Sequence, residues 1–153
     1  TLRAAGIEVR HQTGVRDEAA TREAYAAAGY DPACVSAFID DMASAYAWAD
    51  LVLCRAGATT VAELCAAGLP SVLVPFPYAV HDHQTRNAQA LVAEGAALML
   101  PEARMESDGL MAQVTDLLQD TGRLRTRAAA ASGCARVRAA ELVAAELETV
   151  CAR

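Results

Sequence analysis

The 153-residue chain has the length of one domain, and 54% of its residues are apolar. Its net charge of −6, from 13 basic and 19 acidic residues, argues against nucleic acid as a partner, because that binding depends on many lysine and arginine side chains. No apolar run approaches the roughly 20 residues that span a bilayer, and no signal peptide opens the sequence.

Five short apolar runs, typical of strands buried on both faces, alternate with segments of helix-favouring composition. The predicted strands are Ile7–His11, Val35–Ile39, Leu51–Cys54, Ser71–Pro75 and Ala97–Leu100. The helices between them are predicted at Arg16–Ala28, Met42–Ala49, Thr60–Ala67 and Gln84–Glu94, and three more follow at about Asp108–Leu118, Arg123–Ala131 and Arg136–Val150. This pattern indicates an α/β fold, with a doubly wound parallel sheet followed by C-terminal helices.

The start of the sequence predicts that part of the domain is missing. Thr1–Gly6 looks like the end of a helix. We therefore expect the first visible strand not to be the first strand of its fold.

The segment from Ala49 to Glu63 is the most informative one. An apolar strand runs into a tight turn at Gly57, and a helix is predicted to begin at Thr59 or Thr60. Unpaired backbone N–H groups and the positive end of the helix dipole meet at such a start, which suits a diphosphate. Glu63, one turn in, can accept hydrogen bonds from both hydroxyls of a ribose. The open alternative is a capping box, in which Glu63 reaches back to the backbone of Thr60.

Other loops at the carboxyl edge of the sheet, where open parallel sheets bind ligands, carry further candidates. Phe38 and Ile39 end a strand in a loop where a flat base can rest, with the core as the simpler alternative. Asp40 and Asp41 precede a helix, and N-capping accounts for at least one of them. His11 ends its strand and either faces a ligand or forms a structural hydrogen bond.

Two more loops have a functional and a structural interpretation. Arg55 follows a buried strand and either faces the ligand or forms an ion pair with a carboxylate. Gln84 and Asn87 share a helix face and suit sugar hydroxyls, with ordinary capping as the alternative. Trp48 has apolar neighbours at helical spacing and is predicted to lie in the core.

The sequence predicts no metal site. The five cysteines form no Cys-x-x-Cys pair, so we expect reduced, buried thiols of a cytosolic protein. His81 and His83 flank an aspartate, but a third well-spaced ligand is missing from this loop.

Taken together, these loops resemble glycosyltransferase family 28. The resemblance covers nearly the whole chain, is weakest after Glu102, and is carried by Phe38–Met42, Ala45–Asp50, Cys54–Glu63, Ala66–Pro70, Val74–Pro77 and His83–Ala88. It implies the C-terminal, donor-binding half of a GT-B glycosyltransferase with a Rossmann-like sheet. The bacterial members that it resembles transfer N-acetylglucosamine from UDP-N-acetylglucosamine to lipid I (undecaprenyl-diphospho-muramoylpentapeptide), giving lipid II with inversion and without a metal or cofactor.

The resemblance also implies residue roles. It assigns the uracil to the backbone of Ile39, with Phe38 and Met42 lining the pocket, and the ribose hydroxyls to Glu63. The contacts to the diphosphate and the sugar are expected from Arg55, Ala58, Thr59, Thr60, His83, Gln84 and Asn87. Two positions depart from the family pattern: Ala56 stands where many members carry serine, and His83 where some carry glutamine.

No catalytic residue is expected in this sequence. The resemblance places the catalytic base and the lipid I site in an N-terminal domain, and a Gly-Gly-Ser-type phosphate loop on a first strand that is also missing. The parent enzyme is expected to sit peripherally on the cytoplasmic face of the bacterial inner membrane. An alternative from another class is a non-catalytic donor-binding subunit that needs a membrane partner; a nucleotide-sugar epimerase would need acidic and histidine residues that the chain lacks.

Overall fold

The computed structural model describes residues 3–79, 82–104 and 108–151. In these ranges, parallel strands alternate with helices before three consecutive helices end the fold. The strands are β1 His11–Gln12, β2 Val35–Ser36, β3 Val52–Cys54, β4 Ser71–Leu73 and β5 Ala97–Met99. The helices are α1 Glu18–Ala27, α2 Met42–Trp48, α3 Ala58–Ala67, α4 His83–Ala93, α5 Asp108–Gln119, α6 Thr121–Gly133 and α7 Ala139–Cys151.

The strands of the described residues pair in two separate parallel sheets. One consists of β1 and β2, and the other has the order β3-β4-β5. A cavity of about 720 Å³ lies between β1 and β3, lined by residues 5–11 on one side and 49–53 on the other. The predicted parallel direction of the strands is confirmed. The gap between the two sheets, in contrast, cannot be inferred from strand patterns alone.

The core lies against the three-stranded sheet, where β4 is buried along its whole length. Leu73 of β4 packs in one cluster with Leu64 of α3, Leu91 of α4 and Ala131 of α6. Strands covered on both faces carry such continuous apolar runs. The buried sheet gives the loops at its carboxyl edge a rigid base.

Helix α3 ends at Gly68, two residues before Pro70. Gly68 adopts φ 64°, a left-handed conformation that glycine reaches without strain. A Cβ at this position would collide with the side chain of Ser132, so the glycine also lets α3 and α6 pack closely. The turn returns the chain directly to β4.

Trp48 is not a core residue, which corrects the prediction. Its side chain is 39% exposed, and the guanidinium carbon of Arg10 lies 4.2 Å from the centre of its ring. Trp48 lines the cavity between the two sheets. The apolar neighbours of Trp48 in the sequence therefore do not indicate burial in the core, because its side chain faces the gap between the two sheets.

The last helix, α7, lies outside the core. Leu142, Val143, Leu147 and Val150 are each between 59% and 67% exposed. Cys151 is exposed as well, so the prediction of buried thiols is wrong for this residue, although Cys65 is buried and all five cysteines of the described chain are free. None of the helices described is long and apolar enough to cross a membrane.

Candidate functional site

Helix α3 begins directly behind the carboxyl end of β3, one or two residues earlier than the sequence predicts. Gly57 is the N-cap with φ −64° and ψ 146°, and the helix starts at Ala58. The backbone N–H of Val61 bonds to the Gly57 carbonyl at 2.9 Å. The N–H groups of Ala58, Thr59 and Thr60 precede this bond, and no described side chain caps the helix. These donors and the helix dipole suit an anion.

The capping-box interpretation of Glu63 is wrong. Such a box needs Thr60 as the N-cap, but Gly57 takes that position and Thr60 lies inside the helix. The exposed Glu63 carboxylate instead accepts a hydrogen bond of 3.0 Å from the Tyr46 hydroxyl of α2. Burial, followed by the bond to Glu63, raises the pKa of Tyr46, so the phenol keeps the proton that it donates.

Arg55 forms the ion pair that the sequence left open as its structural role. Its Nη1 lies 2.8 Å from Oε2 of Glu102, and the two side chains are 46% and 43% exposed. The same nitrogen faces the carbonyl oxygens of Val74 and Pro75 at 3.5 and 3.4 Å. Exposed pairs of this kind contribute only about 0.2–1 kcal/mol. A phosphate can therefore replace Glu102 as the partner of the guanidinium.

Gln84 and Asn87 of α4 hold neighbouring loops. Oε1 of Gln84 accepts a hydrogen bond of 2.9 Å from the backbone N–H of Phe76. Nδ2 of Asn87 donates one of 3.0 Å to the carbonyl of Ala56, in the loop that leads into α3. Asn87 thus fixes the approach to the α3 N-terminus, and Gln84 still presents its NH₂ group. His83, the first residue of α4, is exposed beside Gln84.

The residues that the sequence predicts for the base lie in and just after the loop that follows β2. Phe38 is 67% exposed, so the alternative that Phe38 belongs to the core is wrong. The N–H of Ile39 donates a hydrogen bond of 2.8 Å to Oε1 of Gln12. Ile39 and Met42 line the cavity of about 720 Å³ between the sheets.

Asp41 caps α2, as one of the two candidate aspartates was predicted to do. Its Oδ1 accepts a hydrogen bond of 2.9 Å from the N–H of Ser44, and its Oδ2 accepts one of 2.6 Å from the Ser44 hydroxyl. The bond from the Ser44 hydroxyl, and then the one from its backbone, lower the pKa of Asp41. The cap fixes the start of α2 directly behind Ile39.

The histidines form no metal centre in the described residues, which contain no cluster of three possible protein ligands. Nδ1 of His11 lies 3.1 Å from the Tyr25 hydroxyl, which confirms the structural alternative for His11, and burial lowers its pKa. His81, one half of the predicted His81–His83 pair, lies outside the described residues.

The structure divides the predicted site residues into two groups. Arg55, the start of α3 and the loop bonds from α4 lie at the carboxyl ends of β3 and β4, and the Ile39 loop lies at the end of β2. The Tyr46–Glu63 bond joins α2 to α3 and so connects the groups. Sequence reasoning assigned no role to Gln12, Tyr46 or Glu102, because each is recognised only by its distant partner. Tyr46 does lie in the Ala45–Asp50 segment, which is one of those that carry the family resemblance.

Parallel strands, covering helices and polar loops at the carboxyl edge define a Rossmann-like α/β domain. The chain belongs to the family described as glycosyltransferase family 28 C-terminal domain, whose model matches residues 1–144. The resemblance predicted from the sequence is thereby confirmed.

The relatives of this chain are longer proteins. It is 54% identical over 142 residues to the UDP-N-acetylglucosamine–N-acetylmuramyl-(pentapeptide) pyrophosphoryl-undecaprenol N-acetylglucosamine transferase of Nitratidesulfovibrio vulgaris (strain DP4), covering 93% of this chain and 39% of that protein. The transferase of the same name from Xylella fastidiosa (strain M12) is 57% identical over 138 residues, covering 90% and 37%. The crystal structure of Acinetobacter baumannii MurG matches with a TM-score of 0.80 at 37% identity, covering 95% of this chain and 43% of that one.

Proposed function

We propose that this chain is the donor-binding part of an inverting N-acetylglucosaminyltransferase that uses UDP-N-acetylglucosamine. The observation that carries the proposal is the uncapped N-terminus of α3, with Arg55 just before it and the exposed Glu63 carboxylate one turn inside it. The name shared by relatives at 54% and 57% identity supports the same activity. Those names belong to single chains of which this chain spans 39% and 37%, which does not favour a separate donor-binding subunit.

The diphosphate belongs at the start of α3 in this proposal. Its oxygens accept hydrogen bonds from the N–H groups of Ala58, Thr59 and Thr60, and Arg55 exchanges Glu102 for a phosphate oxygen. As the bond between the sugar and UDP breaks, negative charge develops on the diphosphate. Donors that already point at this charge stabilise the transition state, each charged hydrogen bond by about 1.5–3 kcal/mol. The residues at this helix start thus stabilise the negative charge of the leaving group without a metal ion.

The nucleoside and the sugar occupy the two flanks. Uracil packs on Phe38 and Met42, and it replaces Gln12 as the hydrogen-bond acceptor of the Ile39 N–H. The ribose lies at Glu63. Gln84, through its NH₂ group, and His83 contact the hydroxyls of N-acetylglucosamine, whereas Asn87 acts through the Ala56 loop.

The acceptor, lipid I, and the catalytic base belong to an N-terminal domain of the parent protein. The structure pairs β1 with β2 and β3 with β4 and β5, and a cavity lies between β1 and β3. This arrangement supports a doubly wound sheet in which a strand preceding this sequence fills the cavity. The parent enzyme acts in peptidoglycan synthesis, peripherally on the cytoplasmic face of the inner membrane, where lipid I presents its headgroup.

Glu102 competes with the diphosphate for Arg55, so Glu102→Gln is expected to tighten UDP binding. The substitution removes a carboxylate 2.8 Å from the guanidinium, and we expect a gain of roughly 2- to 5-fold at low salt. Calorimetric titration with UDP measures it. Uridine, which lacks phosphates, should bind both proteins equally, and Glu94→Gln controls for the change in net charge. An equal gain for uridine would contradict the competition.

Donor identity is tested by calorimetric titration of the full-length protein with UDP-N-acetylglucosamine and UDP-N-acetylgalactosamine. These donors differ only in the orientation of one sugar hydroxyl. We expect about 10-fold or more preference for the first, since a misplaced hydroxyl leaves a polar partner unpaired. Equal affinities would remove Gln84 and His83 from sugar selection, and failure to bind either donor or UDP would refute the proposed function.

A further inference from the structure

We propose that Tyr46 is a positioning residue of the nucleotide site, whose hydroxyl orients the Glu63 carboxylate toward the two hydroxyls of a ribose. The inference rests on the proposed function, in which Glu63 binds the nucleoside part of the donor. It is carried by the hydrogen bond of 3.0 Å that the Tyr46 hydroxyl donates to Oε2 of Glu63.

The two partners differ in how firmly the fold holds them. Tyr46 is partly buried and packs against the core cluster together with Ala49, Val52 and Cys54. Glu63 is exposed, and its side chain has three rotatable bonds. Because the tyrosine ring is held by the core and the glutamate side chain is not, the hydrogen bond restricts the orientation of the carboxylate.

The bond leaves the carboxylate able to bind a diol. An ionised carboxylate offers about four acceptor positions, and the Tyr46 hydroxyl occupies one of them. Oε1 of Glu63 has no hydrogen-bond partner among the described residues, and Oε2 keeps a second acceptor position. Two ribose hydroxyls can therefore each donate to Glu63 while Tyr46 stays bound.

A tyrosine suits this role because its hydroxyl remains protonated. The raised pKa of Tyr46, caused first by burial and then by Glu63, keeps the phenol a neutral donor across the physiological pH range. A carboxylate that is already ordered loses less conformational freedom on binding, and ordering one such side chain accounts for roughly a 3- to 10-fold difference in affinity.

The experiment compares UDP with 2′,3′-dideoxyuridine 5′-diphosphate, which lacks both ribose hydroxyls, by calorimetric titration of the full-length protein. Wild type is expected to prefer UDP by on the order of 100-fold. Tyr46→Phe should weaken UDP binding roughly 3- to 10-fold and leave the dideoxy nucleotide within about 2-fold of wild type. A merely structural tyrosine would change both affinities together.

Each outcome has one meaning. If wild type prefers UDP but Tyr46→Phe loses neither affinity, or loses both equally, the inference is overturned and the assignment of Glu63 stands. If wild type binds both nucleotides equally, Glu63 does not contact the ribose, and the nucleoside part of the proposed function fails.

Two variants complete the test. Tyr25→Phe also removes a partly buried tyrosine hydroxyl, one that bonds to His11, and should alter neither affinity. In a Glu63→Gln background, Tyr46→Phe should leave the ratio of the two affinities unchanged, because the oriented carboxylate is already gone. A further drop in that ratio in the double variant would overturn the inference independently of the single variant.

Discussion

Replacing Glu63 with alanine in the full-length protein is expected to lower the affinity for UDP by on the order of 100-fold, with the melting temperature within about 2–4 °C of wild type. In the proposed site, the substitution removes a charged acceptor for two ribose hydroxyls, and two bonds at the lower end of about 1.5–3 kcal/mol each account for this loss. The effect on folding stays small because the side chain is exposed and Gly57 begins α3. Calorimetric titration and thermal unfolding measure the two quantities.

Glu23→Ala is the matched control for this substitution. Glu23 lies in α1, is exposed like Glu63, and carries the same charge. UDP should bind this variant as it binds wild type. If Glu63→Ala instead lowered the melting temperature strongly and spared UDP binding, Glu63 would be a structural residue and the ribose would have to bind elsewhere.

Extending the chain to include the strand that we propose precedes it is expected to stabilise the domain by roughly 5 kcal/mol or more. A central strand buries several apolar side chains on both faces, each contributing about 1.5–3 kcal/mol. It also pairs two edges that face the cavity between β1 and β3. Chemical denaturation of the 153-residue chain and of the extended chain measures the difference, and only the extended chain should unfold in a single cooperative step.

Amide hydrogen exchange tests where in the sheet this stabilisation arises. Val52 and Cys54 direct their backbone bonds toward β4, so the alternating pattern turns the N–H of Leu53 toward the cavity. Exchange at Leu53 should slow sharply in the extended chain, while exchange at Val72, inside the β3-β4-β5 sheet, changes much less. Fast exchange at Leu53 in both chains would show that no further strand pairs with the edge of β3 that faces the cavity.

The sequence predicted the elements well where burial decides them. β4 and β5 end within two residues of their predicted ends, because continuous apolar runs bounded by glycine or proline admit few alternatives. For β1 and β2 the sequence predicts longer strands than the two-residue ladders observed. The length of a ladder depends on the neighbouring strands in the sheet, and no local pattern carries that information.

Side-chain roles were predictable only where both partners are close in the chain. Asp41 caps its own helix three residues away, whereas Tyr46 meets Glu63 across 17 residues and Arg55 meets Glu102 across 47. The capping-box hypothesis for Glu63 followed from a four-residue pattern, and it was wrong because Gly57 takes the helix start. Contacts between helices require the fold, so the sequence could nominate Glu63 without showing how it is held.

In the proposed site, the bond between Gln12 and Ile39 affects which base can bind. The Ile39 amide already has a good acceptor, so an entering base must offer a replacement for the glutamine oxygen. Uracil presents a ring carbonyl where cytosine carries an amino group that can only donate. A base that displaces Gln12 without offering an acceptor leaves the Ile39 N–H without a hydrogen bond. This costs about 1–3 kcal/mol, which lowers the affinity roughly 5- to 150-fold. In the proposed nucleotide site, this loop contact therefore favours uridine over cytidine nucleotides.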